Sequence, residues 1–276
     1  MTTHKQTILV LGATGKTGSR LVRTLRAQGR SVRAASRSGE FRFDWFDEDT
    51  WQAALDGVTA VYLMVPDDPA PVPVFVRRAT EAGVGRFVVL SGRGMGQLPP
   101  ELFQGMAAAE RAVRGSGARW SIIRPNNFNQ NFEDVWLPQL RSGRLALPTG
   151  GVGDPFIDAQ DIADVAAVLL TSEGHHGRVY DLTGPRVLTF GAAVAAMAEA
   201  AGRTIVYEEI TPERYQEELR EGGVPEEVAR ELGTMFEVLR TGLHTGTTDA
   251  VRTLLGREPV DFGTYAARTG ATGIWS

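Results

Sequence analysis

Short unbroken apolar runs alternate along this chain with longer stretches in which apolar residues return every three or four positions. Ile8 to Leu11 is one such run, with no polar residue inside it, which suits a strand buried on both faces of a parallel sheet. Leu21, Val22 and Leu25 then recur at helical spacing, and Arg20, Arg23 and Arg26 are left for water. The same reading predicts further strands at 31–35, 41–45, 60–65, 86–90, 120–123 and 179–183. Helices are expected from Asp47, with Trp51, Ala54 and Leu55 facing inward, over 74–82 and 100–116, after Asp161, and over 190–201 closed by Gly202. Strands separated by crossover helices define the α/β class with a doubly wound parallel sheet. From Thr211 to Thr241 the composition turns to glutamate, arginine and leucine, and Gly222-Gly223-Val224-Pro225 breaks the segment into a helical hairpin outside the sheet. Pro225 suits the first turn of the second helix.

Between the first strand and the first helix stand Gly12, Gly15 and Gly18. In that context a dinucleotide pyrophosphate is the natural ligand, because unpaired amides at a helix N-terminus favour an anion and a Cβ would block its approach. Gly12 would make the tight turn, Gly15 the close passage and Gly18 the packing of helix on strand. Gly15-Lys16-Thr17 also resembles the end of a nucleoside-triphosphate loop, but that loop needs a glycine five residues earlier, where Val10 stands.

Composition narrows the picture in only a few ways. With 276 residues, 42% of them hydrophobic and 22% charged, the chain can bury a full core and carries no sign of disorder. Cysteine is absent, which excludes disulfides, thiol catalysis and cysteine-bound metal, and no metal site is expected because His175-His176 has no partners at ligand spacing. The net charge of −4 with scattered basic residues argues against a nucleic-acid face, and no window suggests a membrane span or signal peptide, so a cytoplasmic protein is expected.

Cofactor choice is set at the end of the second strand, Ser36-Arg37-Ser38. Arginine there suits a 2′-phosphate, and an acid that would hold a free 2′-hydroxyl is missing, since Glu40 comes too late. The alternative is that Arg37 is a solvated loop residue. Asp44 and Trp45 are expected near the adenine. The fifth strand ends in Ser91-Gly92-Arg93, beyond a strand's carboxyl end where ligands of open α/β sheets bind, although a serine there can also be a simple cap. After the strand at 120–123 comes an amide-rich stretch with Asn126, Asn127, Asn129, Gln130 and Asn131, which either contacts a ligand or pins an irregular loop. Asp158 and Asp161 are read as helix caps.

These residues resemble the NmrA-like branch of the atypical short-chain dehydrogenase/reductases, and most closely its ergot-alkaloid-type reductases and their bacterial relatives. The likeness rests on ILVLGATGKTG at the start, GARWSIIRPNNFNQNF at 117–132, FIDAQDIADVAA at 156–167, VYDLTGPRVLTF at 179–190 and GREPVDFGTYA at 256–266. It implies a Rossmann-type NADP-binding domain, 1–155, followed by a segment, 156–276, that adds to the sheet and forms a substrate lobe containing the hairpin 211–241. It also implies NADP(H) as cofactor, held by Gly12, Thr14, Gly15, Lys16, Thr17, Gly18, Ser36, Arg37, Asp44, Trp45, Pro66 and Ser91. Ser91 and Asn126 are the candidate catalytic residues. Arg93, Met106, Asn127, Phe128, Met235 and Phe236 are the candidate substrate contacts, for a small aromatic or heterocyclic molecule bound by a monomer or homodimer.

One departure from the wider superfamily bears on chemistry. Short-chain dehydrogenases commonly protonate an alkoxide through a Tyr-x-x-x-Lys pair. This chain has two lysines, Lys5 and Lys16, both ahead of every tyrosine, and Met106 stands where relatives often carry lysine or histidine. The expected reaction is therefore hydride transfer to an acceptor that is already electron-poor, iminium, quinone-like or conjugated, of which the iminium ends neutral with no proton needed; the rival expectation is a non-catalytic NADP-binding sensor. The apolar hairpin face, Tyr215, Leu219, Val228, Leu232, Met235, Phe236 and Leu239, either closes over a substrate or completes the core. The tryptophan-containing loop at 132–138 adds to the pocket reading.

Overall fold

A computed structural model describes residues 6–276, so Lys5 lies outside the described residues. In chain order the elements are β1 (Thr7–Leu11), α1 (Lys16–Ala27), β2 (Ser31–Ser36), β3 (Phe41–Arg42), α2 (Asp49–Leu55), β4 (Ala60–Leu63), α3 (Pro71–Glu81), β5 (Arg86–Leu90), α4 (Gln104–Gly115) and β6 (Arg119–Pro125). They continue with α5 (Leu137–Ser142), β7 (Arg144–Leu147), β8 (Gly153–Asp154), α6 (Ala159–Thr171), β9 (Arg178–Leu182), β10 (Leu188–Thr189) and α7 (Phe190–Ala201). The last are β11 (Val206–Glu209), α8 (Pro212–Glu221), α9 (Glu226–Arg240), α10 (Ala250–Leu255) and α11 (Phe262–Gly270).

Two compact units form. The first takes the chain through Pro125 and regains Ala159–Leu182 and Ala250–Arg257; the second holds Asn126–Asp158, Thr183–Asp249 and Glu258–Ser276. The boundary thus falls after β6 and not at the expected 155/156, because α6 packs back on α1 and β9 joins the sheet beside β6.

The first unit is an α/β doubly wound sheet of the Rossmann type. Its seven strands run in the order β3-β2-β1-β4-β5-β6-β9, every pair parallel. The winding reverses between β1 and β4, which marks their carboxyl ends as the place for a ligand. Strands β1, β4 and β5 are buried along almost their whole length, as their unbroken apolar runs require. Leu21, Val22 and Leu25 of α1 are buried as expected.

The third strand is shorter than expected. Asp44 and Trp45 leave it for a turn in which the Asp44 carbonyl accepts from the Trp51 indole at 2.8 Å. Helix α4 starts four residues later than expected, since Phe103 adopts a left-handed conformation, φ 53°, that no helix can continue through.

The second unit pairs β7 with β11 and β8 with β10, and its core joins Phe132, Trp136, Phe156, Phe190, Phe262 and Tyr265. Trp136 packs edge-on against Phe190 at 5.4 Å, so the 132–138 loop supplies core and not pocket wall. Pro225 precedes α9 as its cap residue instead of lying in its first turn.

Candidate functional site

The glycine turn forms as its sequence requires. Gly12 sits at φ +66°, and a Cβ there would overlap the Met64 side chain that follows β4. A Cβ on Gly18 would overlap the Gly12 carbonyl oxygen, so α1 can begin this close to β1 only with glycine. The Gly15 amide donates to the Gly12 carbonyl at 2.9 Å and Gly15 itself caps α1, with no side-chain oxygen covering the first turn and no acid inside it. Lys16 opens the helix and Thr14 is exposed beside it. An uncapped, acid-free helix start behind a glycine turn fits a pyrophosphate.

Thr17 turns its side chain inward. Its side chain is buried and Oγ1 accepts a 2.9 Å hydrogen bond from the Tyr62 hydroxyl of β4, so the hydroxyl ties α1 to the sheet and only the Thr17 backbone remains for a ligand. Burial pushes the Tyr62 phenol above its usual range and keeps it a donor.

At the end of β2 the Ser36 hydroxyl is buried and has no hydrogen-bond partner among the described residues, which is uncommon for a buried polar atom. Arg37 is exposed beside it and makes no ion pair with any described residue, while Glu40 is occupied by Arg26 at 2.6 Å. An orphaned hydroxyl next to a free guanidinium fits a phosphate. Asp44 and Trp45 are less open: the Asp44 carboxylate accepts from the Phe46 amide at 3.0 Å, and the Trp45 ring packs against Phe43 and Phe75 at 5.2 and 5.0 Å.

The carboxyl ends of β5 and β6 carry an ion network. The Ser91 hydroxyl is buried and donates to Glu110 Oε1 at 2.7 Å, and Arg124 grips the same carboxylate through Nε at 2.8 Å and Nη2 at 2.6 Å. Arg114 adds a contact at 3.4 Å. Burial acts to raise the Glu110 pKa, yet Arg124, Ser91 and Arg114 together hold it below the ordinary carboxylate value. The Ser91 proton is therefore directed inward to Glu110. Arg93 donates its amide to the Pro125 carbonyl at 3.1 Å and brings its guanidinium within 4.0 Å of Asp181. Met106 is half-buried near Gly92, and the Pro66 carbonyl lies against Gly105 of α4, where no Cβ would fit.

In the second unit the amide stretch converges on a residue that the sequence did not single out. Asp154 accepts from the Asn126 side chain at 3.2 Å and from the Asn127 side chain at 2.6 Å, and Asn126 also donates to the His244 carbonyl at 3.2 Å. An aspartate in Gly-Val-Gly-Asp-Pro looks like any turn residue, so no local signal marked it. Phe128 is half-buried in a bridge to Ile157.

Asp158 and Asp161 are fully buried and meet Arg268 and Arg257, each at 2.6 Å, so both aspartates do more than the expected capping and Arg257 gives the 256–266 motif a physical role. Phe236 packs into the core against Tyr215 at 5.1 Å, while Met235 is 38% and Val228 43% exposed, so the expected apolar face does not form as one surface. Among the described residues no cluster could hold a metal, and no helix is long and apolar enough to cross a membrane.

Comparison with known proteins agrees with this geometry. Residues 12–173 match the model of the NAD(P)H-binding family, so the chain belongs to that family and NAD(P)H is its cofactor. Full-length relatives include oxidoreductases. The chain is 32% identical to the uncharacterized oxidoreductase YesF of Bacillus subtilis, over 98% of each chain. It is 30% identical to the NAD(P)H azoreductase of Xenophilus azovorans, over 94% of this chain and 96% of that one. It is 27% identical to agroclavine dehydrogenase of Claviceps fusiformis, over 95% and 96%.

The fold is shared with an NADPH-dependent quinone oxidoreductase of Escherichia coli, solved with NADPH, at TM-score 0.79, 20% identity and coverage of 95% and 99%. It is likewise shared with NmrA, a negative transcriptional regulator solved with NAD, at TM-score 0.77, 18% identity and coverage of 98% and 96%.

Proposed function

We propose that this protein is an NADPH-dependent reductase of small, already electron-poor acceptors: iminium, quinone-like or conjugated carbonyl compounds of aromatic or heterocyclic type. The observation that carries this reading is the Ser91–Glu110 hydrogen bond. With the Ser91 proton held by a carboxylate and no Tyr-x-x-x-Lys pair in the chain, the strand ends offer no proton to a developing alkoxide. The bound cofactor supplies a hydride, so an iminium carbon gains a C–H bond, its C=N π pair returns to nitrogen, and no proton is consumed.

The remaining residues have binding roles in this reading. Gly12, Gly15, Gly18 and the backbone of Lys16 and Thr17 hold the pyrophosphate; Ser36 and Arg37 hold the 2′-phosphate and favour NADPH over NADH. Asn127 and Phe128 contact the acceptor. The relatives named azoreductase and agroclavine dehydrogenase support a small-molecule acceptor.

The test is steady oxidation of NADPH against iminium, quinone and azo acceptors, with simple ketones as controls. Turnover of the first group and not of ketones is expected. Faster reduction of ketones would overturn the reading. The same committed proton favours a second reading, a cofactor-sensing protein without turnover; tight NADPH binding with no oxidation by any acceptor would establish it.

A further inference from the structure

The acid nearest to Arg37 in sequence is turned away from it. Four residues, Arg37-Ser38-Gly39-Glu40, link β2 to β3, and the link folds back on itself, since Ala35 pairs with Phe41 and Ser36 with Arg42. Arg37 and Glu40 are three residues apart in that link, so their side chains are long enough to meet. Instead Glu40 meets Arg26 of α1 at 2.6 Å, and Arg37 makes no ion pair with any described residue.

This ion pair has a direction. Three residues, Gln28 to Arg30, separate the end of α1 from the start of β2, so Arg26 in the last turn of α1 lies toward the amino end of β2. Arg37 follows the carboxyl end of the same strand. Arg26 thus draws the Glu40 carboxylate along the strand and away from Arg37. The hydrogen bond from Arg26 also holds the Glu40 carboxyl below its ordinary pKa, so it is ionised at neutral pH. The two side chains are 45% and 59% exposed, and such a pair contributes little to stability. Its effect is to fix where one negative charge sits.

We propose that Arg26 is a positioning residue for cofactor choice: by holding Glu40 it leaves the Arg37 guanidinium free for the 2′-phosphate and keeps a carboxylate away from that anion. The inference rests on the reading that Arg37 contacts the 2′-phosphate. Once released, Glu40 would compete for Arg37 and repel the phosphate. The loss would fall on NADPH, because NADH carries a neutral hydroxyl at that position.

Fluorescence titration of NADPH and NADH at low ionic strength, with no acceptor present, tests it. Arg26→Met should lower the preference for NADPH about fivefold, the scale of one charge displaced by several ångströms at a protein surface, and added salt should shrink the effect. Adding Glu40→Gln to that variant should restore the preference, and Arg26→Lys, which keeps the ion pair, should retain it. Arg23→Met removes an equal charge from an exposed position of the same helix without freeing an acid, so it should change nothing. A preference that is unaltered in Arg26→Met, lowered equally by Arg23→Met, or still lowered in the double variant overturns the proposal. Arg37→Ala separates the two readings. If it weakens NADPH alone while Arg26→Met has no effect, the 2′-phosphate contact stands and the role of Arg26 falls. If it weakens both cofactors equally, the 2′-phosphate contact falls and the role of Arg26 with it.

Discussion

Replacing Arg124 with methionine would strand the Glu110 carboxylate in the first unit with only the Ser91 hydroxyl and the distant Arg114 as partners. The Glu110 side chain is 7% exposed and cannot turn to water, so the loss should approach the lower end of that for breaking a buried pair, about 3 kcal/mol. The reverse change is milder. Glu110→Leu leaves a guanidinium that is 21% exposed and can partly hydrate, which should cost about 2 kcal/mol. Removing both partners leaves no unpaired charge, so the double variant should lose about 3 kcal/mol and not the sum, a coupling of about 2 kcal/mol. Urea unfolding at neutral pH measures all four proteins.

The effect also has a pH signature. Because the pKa of Glu110 is lowered on folding, its contribution is complete above the unfolded value of about 4.3 and is lost as pH falls through the lower folded value. The gap between wild type and Arg124→Met should therefore be widest at neutral pH and close in acid. Single losses below about 0.5 kcal/mol, the range of ordinary surface substitutions, would show that the network does not hold these strand ends together.

Arg37→Ala should weaken NADPH binding roughly tenfold to a hundredfold and leave NADH nearly untouched, since one charge-assisted contact is removed; equal losses for both in fluorescence titration would remove Arg37 from the site. Gly18→Ala should push α1 off the Gly12 carbonyl, lowering stability by about 1–3 kcal/mol and NADPH affinity with it; an unchanged urea midpoint would contradict the close approach. Phe236→Ala should cost about 3 kcal/mol as a core truncation, and Met235→Ala less than about 0.5 kcal/mol; similar costs would mean that the hairpin presents both residues alike.

How far the sequence reaches is clearest at the ends of the sheet. The β1–glycine–α1 element, the buried strands β4 and β5 and the span of α7 were legible because each is written locally, in an apolar run, a 3.6-residue period or a glycine where no Cβ fits. The exposed place of Arg37 just past β2 was legible for the same reason, and its contact with a 2′-phosphate is proposed. What the tertiary structure alone decided is where polar groups find partners. The Ser91 proton goes to a carboxylate 19 residues away, and Asn127 turns its amide toward an aspartate 27 residues on. Neither pairing leaves a mark in the local pattern, because sheet crossovers, not spacing along the chain, bring those groups together. Trp136 and Phe236 went to the core on the same principle: an aromatic side chain reads alike whether it lines a pocket or fills one. The boundary after Pro125 likewise depends on α6 and β9 returning to the first unit, a long-range packing choice that no single segment encodes.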